Sequence, residues 1–309
     1  MLTSKNISLL IPTYNAEHHL PNLIADARAQ TAPFAEILVY DDKSTDRTVE
    51  VAKALGVDRI LPAEENRGAS YARNRLIDAC GSEWIHFHDA DDRLDARYNE
   101  LVLQASPEPD EVVLCGLKTY DATTQTFGPE YSAMAVDGCT DLAVLLQIHF
   151  QMGSGLYPTH LVRSIGGFRE DLRGAEDFDF NIRLFLAGAK FRAIPEMLNT
   201  YCRHGGITFT ETNLSRFNSD WLRLFKDYLS TLPQDHRPLI AKLLMEHAYR
   251  LFANGQYRES QEAIALATSN GQSTVTSSSA LLRRLSYWIG IVPVFHLRKI
   301  RALLPRALK

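Results

Sequence analysis

The stretch Trp84-Ile85-His86-Phe87-His88-Asp89-Ala90-Asp91-Asp92 ends an apolar run in carboxylates spaced one residue apart. Two carboxylates about 5 Å apart repel by roughly 3 kcal/mol at an effective dielectric near 20, and a divalent cation removes that cost. Oxygen ligands suit Mg²⁺ or Mn²⁺, which leave positions open for diphosphate oxygens. An ion held by Asp89 and Asp91, with Ala90 between them, would offset charge building on a departing nucleoside diphosphate. A solvated acidic turn is the plainer alternative, and the position after a buried run favours the metal site.

Other clusters carry complementary chemistry. Asp41-Asp42-Lys43-Ser44-Thr45-Asp46 follows a second apolar run, and a carboxylate there can accept the imide N–H of uracil or thymine. Ser44 and Asp46 read as helix caps, which leaves Asp41 or Asp42 for the base. Arg73 can reach phosphate oxygens with its guanidinium fork, or be a surface arginine. Glu176-Asp177 opens a helix whose N-terminus favours negative charge, so the pair is expected to stay ionised at neutral pH. An ionised carboxylate facing a cleft can take the proton of an attacking hydroxyl, although an acidic first turn is also an ordinary helix feature. His204 either completes an oxygen and nitrogen metal set with Asp91 or is a polar loop histidine.

These groups need elements to position them. Ile7 to Ile11, Ile37 to Tyr40, Arg59 to Leu61 and Trp84 to Phe87 read as strands. Between them lie helical patterns: one from about Glu17 with Leu20, Leu23, Ile24 and Ala27 on one face, one ended by Gly56, and one from Ala69 to Cys80. Strands alternating with helices predict an α/β fold whose mostly parallel, Rossmann-like central sheet carries helices on both faces and ligands at its carboxyl ends. Glu111 to Tyr120 is a further strand. Ala175 to Gly188 is a helix with Phe178, Ile182, Phe185 and Leu186 as its buried stripe. After about Asn213 the pattern is helical, with a hairpin hinged at Asn254-Gly255, and Ser273 to Ser279 reads as a small-polar linker.

Composition sets the outer limits. The 309 residues are 45% hydrophobic and 23% charged with a formal net charge of -4, which fits a globular protein and excludes a nucleic-acid partner on electrostatic grounds. Cys80, Cys115, Cys139 and Cys202 are scattered and read as reduced thiols of a cytoplasmic protein. No apolar run reaches the roughly 18 to 20 residues that span a bilayer. A dinucleotide-binding dehydrogenase would carry GxGxxG after the first strand, where this chain has Pro12-Thr13-Tyr14-Asn15-Ala16. A sugar-phosphate nucleotidyltransferase would carry a glycine-rich phosphate loop there.

Taken together, the segments ISLLIPTYNAE, ILVYDDKSTDRT, ENRGASYARN, WIHFHDADD, IGGFREDLRGAEDFDFNIRL and YCRHGGIT resemble the family 2 glycosyltransferases of the GT-A fold, in that family's order. The resemblance implies an inverting transfer of a sugar from a nucleotide diphosphate, a UDP-sugar by preference, to the hydroxyl of a glycan or lipid-linked acceptor in surface polysaccharide synthesis. It implies that Pro12, Thr13, Tyr14 and Glu17 lie along the nucleotide, Asp41 or Asp42 holds the base and Arg73 the nucleotide. Asp89 would approach the ribose or the metal, Asp91 would bind the metal, Mn²⁺ or Mg²⁺, and Asp177 would be the base with Glu176 beside it. Where Tyr71 stands the family often has a smaller residue. The competing reading is a non-catalytic nucleotide-sugar binder or assembly protein that keeps the fold.

The expected organisation is a catalytic domain over 1–212, a helical extension over 213–272, and a serine-rich linker with a basic amphipathic segment over 273–309. No acidic residue follows Glu262, and Arg283, Arg284, Arg298, Lys299, Arg301, Arg306 and Lys309 flank the apolar run Tyr287 to Phe295. That segment would attach to an anionic membrane at its inner face, or dock its apolar side on the protein or a second protomer of a homo-oligomer.

Overall fold

Ile7, Ser8, Leu9, Leu10 and Ile11 are all fully buried. The first strand is therefore covered on both faces, which is why its sequence lacks the alternation of a half-exposed strand. The computed structural model describes residues 6–105, 107–205, 212–277 and 279–303. Gly206, Ile207 and Thr208 of the last motif, and Arg306 and Lys309, lie outside the described residues, as do the side chains of Tyr287, Trp288 and Arg301.

The chain divides into two compact units, 1–206 and 207–309. The first begins β1 (Ile7–Thr13), α1 (Leu20–Arg28), β2 (Glu36–Asp41), α2 (Thr48–Ala54), β3 (Arg59–Pro62), α3 (Ala69–Ala79) and β4 (Trp84–Phe87). It continues with β5 (Arg93–Leu94), α4 (Tyr98–Gln104), β6 (Glu111–Asp121), β7 (Thr126–Tyr131), α5 (Leu142–Leu145), β8 (Gly155–Pro158), α6 (Thr159–Ser164), α7 (Glu176–Leu186) and β9 (Lys190–Arg203). These strands form one nine-stranded sheet in the order β3-β2-β1-β4-β8-β6-β9-β5, with β7 on β6. The first four are mutually parallel, as their alternation with helices predicts. Beyond them β8 runs antiparallel to both β4 and β6, whereas β6 and β9 are parallel.

α1 buries Leu20, Leu23, Ile24 and Ala27, the predicted face. It starts at Leu20 rather than near Glu17, because Pro21 belongs in a first turn, where its missing N–H is not needed. Gly56 ends α2 in a left-handed turn at φ 62. α7 departs from its predicted stripe: Phe178, Phe180, Ile182 and Leu184 are buried, while Leu186 is 49% exposed at the helix's outer end.

Beneath the carboxylates, two buried histidines lie on β4 (His86) and just after it (His88). His86 Nδ1 lies 2.9 Å from the Gly155 carbonyl, so it carries the proton, and Nε2 accepts from His88 Nδ1 at 3.2 Å. Burial lowers both pKa values, that of His88 to about 3, so these rings are neutral structural links between strands.

The second unit is helical: α8 (Leu214–Thr231), α9 (Arg237–Ala253), α10 (Tyr257–Ser269), α11 (Ala280–Ile289) and α12 (Ile291–Leu303). Gly255 makes the expected hinge between α9 and α10, at φ 83. Val294 and Phe295 of the apolar tail are fully buried, with Phe295 against the rings of Tyr249 and Phe252 at 5.3 and 5.7 Å. Part of that patch is thus used in packing on protein.

One clamp ties α3 to the segment leading into α7. Asn74 Oδ1 accepts from the Phe168 amide at 2.7 Å, and its Nδ2 donates to the Phe168 carbonyl and to Glu170. Gly167 (φ 67) lies so close that a Cβ would strike Asn74 Oδ1, whereas a Cβ at Gly188 (φ 95) meets nothing. Gly167→Ala is therefore expected to cost about 2–4 kcal/mol and Gly188→Ala about 1–2 kcal/mol in chemical denaturation. Equal losses at the two positions would show that the clamp contributes nothing.

Candidate active site

The loops after β1 and β2 are laced into one wall. The β1–β2 register sets Pro12 beside Tyr40 and Thr13 beside Asp41, and Thr13 Oγ1 donates to the Tyr40 carbonyl at 2.9 Å. Asn15, in the left-handed region at φ 51, donates its amide to Ser44 Oγ and accepts from the Thr45 amide. Asp46 accepts from the Glu17 and Thr48 amides, and Glu17 accepts from Arg47. Asp46 thus caps α2 as expected, while Ser44 serves the other loop. Asn15 was not singled out by spacing, although asparagine's tolerance of left-handed backbone marks it as a turn residue. Tyr14 stands 53% exposed on this wall.

The two base-binding candidates differ. Asp42 is fully engaged in structure: its oxygens accept from the Arg67 and Gly68 amides at 2.8 and 2.7 Å and fix the turn into α3. Asp41 accepts from the Ser44 amide through Oδ2, while its buried Oδ1 has no partner among the described residues. A buried acceptor left without a donor costs about 1–3 kcal/mol, so of the two aspartates it is Asp41 that keeps an unused acceptor. Tyr71, bulkier than the resemblance leads one to expect, lies between the guanidinium groups of Arg67 and Arg75, 3.8 and 4.8 Å from its ring.

Arg73 is the centre of the site, and it is not a surface arginine. Its side chain is 4% exposed, yet it reaches Asp89 at 2.9 Å, Asp177 at 3.2 Å and Glu176 at 3.4 Å. Those carboxylates keep exposures of 47%, 29% and 17%, so the cation lies behind and the anions face open space in front. Each contact is worth roughly 5 kcal/mol of gross Coulomb attraction at an effective dielectric near 20. The guanidinium therefore joins the Asp89-Ala90-Asp91 turn, whose Ala90 is buried, to the first turn of α7. Arg73 thereby meets carboxylates where the sequence suggested a nucleotide contact.

Glu176 and Asp177 differ from expectation in their titration. Desolvation, opposed by Arg73 and aided by mutual repulsion and by Asp89, holds Asp177 above the usual carboxylate range, and Glu176 is shifted the same way. The helix N-terminus and the Met152 amide on Asp177 do not outweigh that loss of water. Ala175, before them, adopts φ 71, a left-handed conformation costing a non-glycine residue about 1 kcal/mol or more. This strain sits at the turn that aims both carboxylates.

Asp91 lies on the far side of Asp89. Its carbonyl accepts from His204 Nε2 at 2.8 Å, and His204 in turn packs at a tilt against His19 with ring centroids 4.2 Å apart. Desolvation and the neighbouring Asp89 raise the Asp91 pKa, and no arginine or lysine pairs with it among the described residues. Asp92, missed in the sequence because the run offers three equivalent acids, is buried and accepts from the Cys202 amide at 2.8 Å, fastening the turn to β9. A cavity of about 560 Å³ opens beside Asp91 and His204, with Tyr120 and Phe127 at its wall.

Comparisons with known proteins bear on the family and the fold. Residues 8–167 match the model of the family described as "Glycosyl transferase family 2". The chain is 27% identical over 230 residues to glycosyltransferase GlyG of Streptococcus pneumoniae, covering 69% of this chain and 76% of that protein. With other curated glycosyltransferases the match spans only 33% and 35% of their length. Among solved structures, S. aureus TarS 1-349 in complex with UDP-GlcNAc superposes with a TM-score of 0.59 at 17% identity, over 93% of this chain and 92% of that one. The mannosyltransferase PcManGT from Pyrobaculum calidifontis, in complex with GDP-Man and Mn²⁺, gives a TM-score of 0.59 at 18% identity, over 96% and 84%. These likenesses establish the GT-A fold.

Replacing the central cation tests the electrostatics. Arg73→Met leaves three carboxylates facing one another and is expected to destabilise the protein by about 3–5 kcal/mol near pH 8. Carboxylates whose folded pKa values are raised destabilise only above their unfolded pKa, so the deficit should shrink at pH 5 as they take up protons. Denaturant titrations of both proteins at the two pH values measure this, and a deficit unchanged by pH would contradict the electrostatic assignment.

Proposed function

The chain belongs to glycosyl transferase family 2, and from that premise we propose that it transfers a sugar, with inversion, from a nucleoside diphosphate to an acceptor hydroxyl. The observation that carries the reading is the convergence of Asp89 and Asp177 on one buried guanidinium. It brings the acidic turn that suits a donor diphosphate within reach of a carboxylate that suits an acceptor's proton.

On the acceptor side, Asp177 is the base. It must be unprotonated to act, and a raised pKa makes it the stronger base once it is ionised. Arg73 and the Met152 amide fix its orientation. On the donor side, Pro12, Thr13 and Tyr14 line the nucleotide, and Asp41 Oδ1 accepts the base imide because Asp42 is already engaged. A uracil imide supplies the donor that this acceptor lacks.

A divalent cation fits the residues present. Asp91 is an anion without a cationic partner among the described residues, repelled by Asp89, and His204 lies against its carbonyl. No group of three metal-ligating side chains is gathered among the described residues. Mg²⁺ commonly takes one or two protein carboxylates and completes its sphere with phosphate oxygens and water. Asp91, with Asp89 and His204, would hold it, and the bound ion would offset negative charge on the leaving diphosphate. The complexes of TarS with UDP-GlcNAc and of PcManGT with GDP-Man and Mn²⁺ support this reading by analogy.

Two measurements test the division of roles. Asp177→Asn is expected to keep donor binding and lose about 10² to 10⁴ in turnover of the nucleotide sugar. The wild-type rate should fall as pH drops through the raised Asp177 value, above the ordinary carboxylate range near 4. Normal turnover in Asp177→Asn would move the base elsewhere. Asp91→Ala should abolish the Mn²⁺-dependent thermal stabilisation by UDP-sugars, and a shift equal to wild type would remove Asp91 from the metal site.

A further inference from the structure

The helical unit contains a second, electrostatically unbalanced cavity. It measures about 600 Å³ and is walled by α9, the 272–277 segment, α11 and α12. Four of its side chains are cationic, Lys242, Arg250, Arg283 and Arg298, and Glu246 is the single acid among those lining it. None of these five forms an ion pair among the described residues, although arginines elsewhere in the chain commonly do.

The cavity is built rather than incidental. The Arg298 guanidinium lies 3.9 Å from the Tyr249 ring centroid, which holds its plane by cation–π contact. Among the described residues its Nη1 is buried without a hydrogen-bond partner, and so is the Thr276 hydroxyl. The serine-rich segment folds onto this wall: the Val275 side chain is fully buried, its amide donates to Ser286 Oγ at 3.1 Å, and Arg283 donates to the Ser277 carbonyl. Like charges gathered around a hollow, with donors left unmatched, fit an anion whose oxygens accept from several directions at once. Guanidinium forks match phosphate oxygens in this way.

We propose that this cavity is a binding site for a phosphate-bearing ligand, a phosphate or diphosphate ester. The ligand is either a soluble compound or the headgroup of an anionic lipid, and the same four cations recognise it in both cases. The site lies wholly in the helical unit and stands independently of the sugar-transfer reading.

The test uses the full-length protein in EDTA, so that the acidic turn of the first unit cannot capture the probe through a metal. Binding of inorganic pyrophosphate is measured by calorimetry, and binding of phosphatidylglycerol and phosphatidylcholine vesicles by flotation. The variants are Lys242→Gln with Arg250→Gln, both exposed positions on α9, and Arg258→Gln on α10 as a control for losing a surface cation outside the cavity. Pyrophosphate binding that falls at least tenfold in the double variant and is unchanged in the control supports a soluble ligand. Binding only to the anionic vesicles, with the same dependence on Lys242 and Arg250, supports a headgroup. The proposal is overturned if neither probe distinguishes wild type from the double variant, or if Arg258→Gln weakens binding as much. Donor hydrolysis by the double variant should equal that of wild type, which separates this test from that of the transfer reaction.

Discussion

A buried positive charge is the constraint on which the candidate site depends. Placing a guanidinium out of water costs several kcal/mol unless anions surround it closely. Arg73 meets that requirement only where α3, the turn after β4 and the start of α7 come together, so the three elements cannot drift apart without stranding the charge. The arrangement serves chemistry for the same reason. Carboxylates that stabilise a hidden cation are held at its outer side, oriented and partly open to ligands. Their own desolvation then shifts their titration, so one contact network fixes both position and basicity.

Much of the first half of the fold was legible in the chain. β1, β2 and β4 are largely apolar runs because both faces of the sheet are covered where they lie, and α1 shows its buried stripe because one side meets that sheet. β8 and β9 were not legible. β9 mixes Lys190, Arg192, Pro195, Glu196 and Asn199 with apolar residues, and it is a strand because β6 offers it a parallel partner some eighty residues earlier. Local pattern cannot carry such a pairing.

The site divided along the same line. Each acidic cluster was visible as a motif at a strand or helix end, but its electrostatic state was not. The helix-terminal position of Asp177 argued for ready ionisation, whereas its surroundings oppose it. The burial of Arg73 depends on Glu176 and Asp177, more than a hundred positions away, so no window of sequence around Arg73 contains the cause. Asp41 and Asp42 were indistinguishable by spacing and separate only once the amides of Arg67 and Gly68 are seen to use one of them.

The antiparallel course of β8 has a consequence for how such a scaffold diversifies. Because β8 runs against β4, the end of one strand lies beside the beginning of the other, with His86 opposite Leu156. The segment that orients Asp177 through Met152 therefore enters the site from a long excursion, residues 122–151, whose two ends are anchored by β6 and β8. Within that excursion β7 is paired to β6 and Val136, Leu145 and Leu146 are buried, so it is the exposed stretches between these ties that can change while the ladder keeps both anchors in register. Change in the exposed parts of that segment therefore leaves undisturbed the carboxylates that Arg73 gathers from the turn after β4 and the start of α7.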